Sequence, residues 1–421
     1  MVGGGITGVT TAYALAKKGF SVTLFERHRY AAMETSFANG GQLSASNAEV
    51  WTHHSTILKG LKWMLKSDAP LLVNPKPSWH KISWFMEFML SMKDYERNTI
   101  ETAKLAIAAR EHLFAWAHAE GIDFNLKKQG ILHIYRDKKG FDHAGRVSAL
   151  LAKGGLPRQA VTPAEMKVIE PTLAGDYYGG YFTESDSTGD IHKFTTGLAL
   201  AAQRLGVRTL YDQDVTSVTT DNKIATIKVA HSNSPDTVHT FDGVVVCAGV
   251  ASKQFANQLG DRVNIYPVKG YSITVNLNDA ESQAGAPQVS LLDDETKLVT
   301  SRLGVDRFRV AGTAEFNGYN KDIRADRIKP LVEWVQQCFP KINTRSVVSW
   351  AGLRPMMPNM MPKVGRGNAS NVFYNTGHGH LGWTLSAVTA DMVADTVAHH
   401  MASVNQTPKP QYTLGQLHPA K

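Results

Sequence analysis

Gly3-Gly4-Gly5-Ile6-Thr7-Gly8 spaces three glycines as G-x-G-x-x-G at the start of the chain, and Glu26 follows 18 residues after Gly8. No other stretch constrains the fold as much, because each glycine has its own task in a strand–turn–helix unit that holds a dinucleotide. Gly3 makes the tight turn, Gly5 lets the backbone approach a pyrophosphate, and Gly8 lets the helix pack closely on the strand. The acid takes a ribose hydroxyl. The pyrophosphate is expected at the positive end of the helix that begins here.

The flanking residues support this reading. Thr10 to Lys18 is rich in helix formers, with Ala12, Leu15 and Ala16 on one face and Gly19 placed to end the helix. Ser21-Val22-Thr23-Leu24-Phe25 reads as a strand, and Glu26 stands at its end. Only Met1 and Val2 precede Gly3. A central strand spans about five residues, so the natural strand is expected to extend upstream of Met1.

The length of 421 residues suggests two or three domains, and a 43% hydrophobic, 19% charged composition is that of a soluble globular protein. No window is apolar and long enough to span a bilayer, and no leader peptide is visible. Two cysteines, Cys247 and Cys338, form no metal-binding or redox spacing, which points to a reducing, cytoplasmic compartment. The net charge of +8 suits an anionic surface or acidic ligands, but no nucleic-acid motif accompanies it.

Residues 34–47 read as a small-residue loop. Residues 55–66 read as a helix with lysines 59, 62 and 66, and 82–95 as an unusually apolar, aromatic stretch. Residues 99–119 and 190–205 read as helices, the second capped by Asp190. Strands are expected at 130–135, 207–211 and 224–230. Val244-Val245-Val246 reads as a buried parallel strand ending near Ala248-Gly249, where ligands bind in doubly wound sheets. Residues 263–316 alternate short strands and turns, as in an antiparallel sheet. A final helix is expected from about Thr384 to Met401, then a loose tail.

Dinucleotide signals thus occur at both ends and in the middle. This predicts an α/β chain with a discontinuous, Rossmann-like FAD-binding domain (1–98, 186–252 and 350–405). An α+β substrate domain with a mainly antiparallel sheet would take 99–185 and 253–349, leaving 406–421 as the tail. FAD is favoured over a nicotinamide cofactor because its binding draws on dispersed segments.

Two further strings carry chemistry. In Gly352-Leu353-Arg354-Pro355-Met356 an arginine beside a flavin would grip a substrate carboxylate with its planar fork. Asn375 to Ser386 (NTGHGHLGWTLS) is a glycine loop opening a helix, able to present N–H groups to the flavin edge. His378 and His380 lie in that loop, whose backbone is expected to matter more than the imidazoles. His53-His54 lack metal-ligand partners at suitable spacing. Cys247 reads as an inert core thiol.

These strings, with ETSFANGGQLS (34–44), YPVKGYSITV (266–275) and LKWML followed by APL (within 61–72), resemble the bacterial D-amino-acid dehydrogenase family. It belongs to the wider D-amino-acid, glycine and sarcosine oxidase group. The resemblance covers nearly the whole chain. It implies that Gly3, Gly5, Gly8 and Glu26 hold the ADP part of FAD and that Thr35 and Ser36 contact the pyrophosphate. Asn39, Gly40, Gly41, Gln42 and Leu43 would lie beside the flavin ring, Val215 against adenine, and Gly249 at the second strand end. Gly379, Leu381, Gly382 and Thr384 would form the flavin-edge loop. Arg354 would pair with the substrate carboxylate, with Tyr271 and Tyr319 in the substrate pocket.

The implied reaction is oxidative deamination of a D-amino acid to a 2-oxo acid and ammonia, by hydride transfer from Cα to flavin N5. Electrons would pass to a quinone or other acceptor. The resemblance leaves oligomeric state and contact with the inner face of a membrane open. Residues 48–54 (AEVWTHH) depart from the proline-rich Trp-Ala-x-Pro segment of many members. Side-chain preference is therefore unsettled, with His53, His54 and Glu49 as candidate contacts. That departure keeps a glycine-, sarcosine- or D-hydroxyproline-oxidising flavoenzyme as an alternative reading. A non-catalytic flavin-binding protein is a second.

Overall fold

A computed structural model describes residues 1–53, 70–230 and 235–405. The expected helix at 55–66 with its three lysines, the LKWML string, His54 and the tail at 406–421 lie outside the described residues. Residues Ile6–Lys17 form the first helix, and Thr23–Phe25 the strand after it. The short start of the chain still takes the central place. Val2 bridges Phe25 on one side and Val246 on the other, both in parallel. Its N–H donates to Val245 O and its carbonyl accepts from Cys247 N.

Around Val2 the sheet reads Arg208–Leu210, Thr23–Phe25, Val2, Val244–Val246, Val372–Thr376, all parallel, then Lys363–Arg366 antiparallel at the edge. Alternation along the strands divides its two faces. Val245, Cys247 and Phe373 pack beneath the helices Ile6–Lys17, Tyr95–Ala119, Ile191–Arg204 and Gly382–Asn405. Val244, Val246, Val372 and Tyr374 face a three-stranded antiparallel layer of Asp214–Thr220, Ala225–Ala230 and Thr237–Phe241. Asp190 caps the Ile191–Arg204 helix, its side chain accepting from His192 N and Lys193 N.

A second, larger sheet runs Val347–Met356, Tyr266–Asn276, Arg307–Phe316, Leu298–Leu303, Ser290–Asp293, Ile131–Tyr135, Gly179–Thr183, Gln159–Val161, with Leu71–Val73 beside Arg307–Phe316. Its pairings are antiparallel except Ser290–Asp293 with Ile131–Tyr135 and Leu71–Val73 with Arg307–Phe316. The helix Ala325–Cys338 covers one of its faces with Leu331, Trp334 and Val335. Two segments cross the boundaries expected from sequence. Leu71–Val73 was placed in 1–98 and most of Val347–Met356 in 350–405, yet both hydrogen-bond into this sheet. The GLRPM string carries the arginine that the sequence offers as a carboxylate clamp. In the fold it is an edge strand, where a proline costs no ladder bond.

The apolar stretch at 82–95 becomes the helix Trp79–Leu90 followed by a short turn at Ser91–Asp94. Both cysteines are free and buried. Among the described residues, no helix is long and apolar enough to cross a membrane.

Candidate functional site

A cavity of about 430 Å3 lies between the carboxyl ends of the parallel strands and the inner face of the large sheet. One end is built by the glycine turn. Gly3 adopts φ +103, and a Cβ there would overlap the Cys247 carbonyl, so the turn needs glycine. A Cβ on Gly8 would overlap the Gly3 carbonyl oxygen, which explains why the helix sits so close to the turn. Gly8 itself does not line the cavity. Gly5 does, and there the nearest atom to an added Cβ is Ser36 Oγ at 3.5 Å. Space at Gly5 is thus open toward the cavity.

The helix begins without a side-chain cap at Gly5 and without an acid in its first turn, so its positive end is left for a ligand anion. Ser36 Oγ accepts from Ile6 N at 3.0 Å. Buried Glu26 accepts from Gly4 N at 2.7 Å and His28 N at 2.9 Å, which orients its carboxylate at the cavity wall. Val215 and Gly249 line the same end. Room for phosphate, a free helix terminus and an oriented acid are the donor set a dinucleotide requires, so the residues present fit FAD.

The loop after Thr23–Phe25 is pinned to the large sheet. Thr35 Oγ1 donates to Leu353 O at 2.7 Å, Ser272 Oγ to Ala38 O at 2.7 Å and Ser301 Oγ to Gly40 O at 2.6 Å. Gln42 Nε2 donates to Ser290 Oγ and Leu291 O. Thr35, Ser36, Asn39, Gly40, Gly41 and Gln42 line the cavity, whereas the Leu43 side chain turns into the helical core. Opposite them lie Gly379, Leu381, Gly382 and Thr384, and Thr384 Oγ1 accepts from Ser44 N at 3.3 Å, joining the two loops.

Arg354 reaches this space through a gap in the neighbouring strand. A Cβ on Gly270 would overlap the guanidinium, so the glycine of KGYS makes the room. A glycine inside a strand marks such an approach. Arg354 donates to Thr313 O at 2.8 Å and Gly312 O at 3.4 Å. Among the described residues it makes no salt bridge. Burial pushes its pKa down to about 10, which leaves the cation intact at neutral pH.

The two histidines of the loop are neutral. Burial pushes His378 down to about 3. Burial and the Arg354 charge push His380 down to about 4. His378 Nε2 lies 3.0 Å from Thr389 Oγ1. His380 Nε2 lies 3.4 Å from Asn47 O, with its ring stacked on Trp51 at 5.1 Å.

The tyrosines are placed differently from the sequence expectation. Strand alternation sets Gly270 and Ser272 toward the cavity and Tyr271 toward the Ala325–Cys338 helix. The Tyr271 hydroxyl donates to Glu315 at 2.7 Å, in a buried cluster with Lys269. Only the margin of Tyr271 borders the cavity, and its hydroxyl is committed elsewhere. Tyr319 is 56% exposed, donates to Val250 O at 3.4 Å and does not line the cavity. Neither hydroxyl is available to a ligand there. Sequence reading missed His143, Asp294 and Lys297, which join Glu49 and Trp51 at the cavity wall. No local motif signals them, because they come from a helix and a hairpin turn far apart in the chain.

Residues 1–396 match the family described as DAO, FAD dependent oxidoreductase. The chain belongs to that family. It is 60% identical to D-amino acid dehydrogenase 3 of Mesorhizobium japonicum, over 94% of this chain and 96% of that protein. It is 38% identical to D-amino acid dehydrogenase of Paramagnetospirillum magneticum, over 96% of each. In fold it is similar to glycine oxidase from Geobacillus kaustophilus, with a TM-score of 0.73 and 20% identity over 94% of this chain and 93% of that one. The α/β flavoenzyme architecture and the FAD dependence read from the sequence are therefore established.

Proposed function

We propose that this protein is a D-amino-acid dehydrogenase, converting a D-amino acid to an imino acid that water hydrolyses to a 2-oxo acid and ammonia. The observation that carries the reading is Arg354: a deep cation in the cavity, held by two carbonyls and paired with no carboxylate among the described residues. The names of the relatives at 60% and 38% identity support the substrate class.

In this reading the glycine turn, Glu26, Thr35, Ser36 and Val215 hold the nucleotide end of FAD. Gly249 lines that nucleotide end as well, while residues 39–42, Gly379, Leu381, Gly382 and Thr384 hold the flavin end, with Gly8 and Leu43 supporting from behind. Bound FAD supplies the two-electron acceptor for the Cα–H bond. Arg354 grips the substrate carboxylate bidentately and so fixes where Cα stands, which is catalysis chiefly by positioning. The N-terminal turn of the Gly382–Asn405 helix directs its dipole at the opposite wall. Neutral His378 and His380 supply no cationic acid, and the substrate amine loses its proton before reaction.

We assign the final electron acceptor as a quinone or another acceptor rather than dioxygen, in keeping with the relatives' names. A face of the Trp79–Leu90 helix supports contact with a membrane surface. Trp79, Ile82, Met86, Met89 and Leu90 are exposed along one stripe, Trp79 at 77% and Leu90 at 71%. The inner residues Trp84 and Phe88 of the same helix pack with Val50 near the cavity. The test is oxidation of a D-amino-acid panel by the flavin-loaded protein with a redox dye.

A further inference from the structure

The end of the cavity beyond Trp51 carries charge that the proposed chemistry does not use. Glu49, His143, Asp294 and Lys297 line it together with Arg354. Their order follows from contacts. His380 feels the charge of Arg354, points Nε2 at Asn47 O and stacks on Trp51. Lys297 acts electrostatically on both His380 and Glu49. Glu49, two residues before Trp51, thus lines the same cavity as His380 and the carboxylate clamp Arg354.

Glu49 is ionised. Burial works to raise its pKa, but hydrogen bonds from His143 and Tyr95 and the Lys297 charge outweigh it and lower it. The Tyr95 hydroxyl donates to Oε1 at 2.6 Å, and His143 Nε2 lies 3.6 Å from the same oxygen. Among the described residues, no hydrogen bond reaches Oε2. His53 adds an aromatic wall, its ring 4.8 Å from that of Tyr95. Lys297 does not cancel this charge, because its ammonium is held by Asp294 at 2.5 Å. Among the described residues, Lys297 makes its ion pair with Asp294, and His143 is the one ion-pair partner of Glu49. A carboxylate in a partly desolvated wall gains most from a cation delivered to it.

We propose that Glu49 is the specificity-determining residue of the cavity and that it receives the cationic side-chain terminus of a basic D-amino acid. This rests on the D-amino-acid reading above. A substrate held at Arg354 by its α-carboxylate then meets a second ionic partner at its far end. Lysine-like and arginine-like side chains satisfy Glu49, neutral ones of equal length leave it unpaired, and acidic ones are repelled.

The test is steady-state kinetics of the flavin-loaded full chain with D-lysine, D-arginine, D-norleucine and D-glutamate, using a redox dye, for wild type, Glu49→Gln and Glu49→Asp. D-norleucine has the same carbon chain as D-lysine but lacks the terminal ammonium. Wild type is expected to favour D-lysine over D-norleucine in kcat/KM by about 10- to 100-fold, the worth of one charge-assisted hydrogen bond. D-glutamate should fall below both. Glu49→Gln should cut the lysine-to-norleucine ratio at least about tenfold, and Glu49→Asp should keep part of it. A ratio near one in wild type overturns the inference even where the variants do not fold. So does a ratio that Glu49→Gln leaves unchanged, which is what a purely structural carboxylate would give. Absence of turnover with every D-amino acid overturns the underlying reading as well. Turnover of D-norleucine without preference for D-lysine overturns this inference alone.

Discussion

Replacing Gly5 by alanine separates binding from folding at the glycine turn. Gly5 has φ −74 and ψ −177, an extended conformation open to alanine. The new methyl would meet only Ser36 Oγ, at 3.5 Å, an ordinary contact. The protein stripped of flavin should therefore keep its stability, or gain about 0.4–1 kcal/mol from a less flexible unfolded chain. The methyl does stand where a pyrophosphate must approach the helix terminus. Losing one charge-assisted hydrogen bond there costs about 1.5–3 kcal/mol. FAD affinity should fall about 10- to 150-fold. Gly8→Ala is the contrasting control. Its Cβ overlaps the Gly3 carbonyl, so it should destabilise the flavin-free protein itself, by about 1–3 kcal/mol or more. Urea unfolding of the stripped proteins and titration by flavin fluorescence quenching measure the two effects. Wild-type FAD affinity in Gly5→Ala, or marked loss of its flavin-free stability, would refute the reasoning.

Two more outcomes follow from the cavity and the surface. Arg354→Ala should raise KM for D-amino acids about 100-fold, since a buried bidentate pair is worth about 3 kcal/mol, while Arg354→Lys recovers part; unchanged KM in the alanine variant removes the clamp. The double substitution Trp79→Glu with Leu90→Glu on the exposed helix face should abolish co-sedimentation with anionic vesicles, and equal sedimentation of both proteins would show that this face does not dock.

Much of the nucleotide end was legible because its constraints are local. Gly3, Gly5, Gly8 and Glu26 lie within one strand–helix–strand unit, and each is demanded by a backbone distance or angle that only that residue type meets. Val244–Val246 was legible for a similar reason: a short β-branched run buried on both faces has few other places to go. The two residues before Gly3 are too few for a strand, and Val2 accordingly forms isolated parallel bridges to Phe25 and Val246 that hold the central place in the sheet. The substrate end was less legible. Tyr271 belongs to the KGYS string, but strand alternation turns its ring to the far face, while neighbouring Gly270 is the residue that admits Arg354. Glu49, His143 and Lys297 meet only through the fold, from a loop, a helix and a hairpin far apart in the chain. No spacing rule could have joined them.

The central claim is best tested by offering the flavin-loaded protein matched D- and L-amino acids, first with a redox dye and then with dioxygen alone. Dye reduction is expected with D-amino acids and little with their L-enantiomers, and peroxide should form slowly. No turnover of any D-amino acid, or preference for the L-series, would contradict the substrate assignment. Peroxide formed as fast as the dye is reduced would contradict its classification as a dehydrogenase.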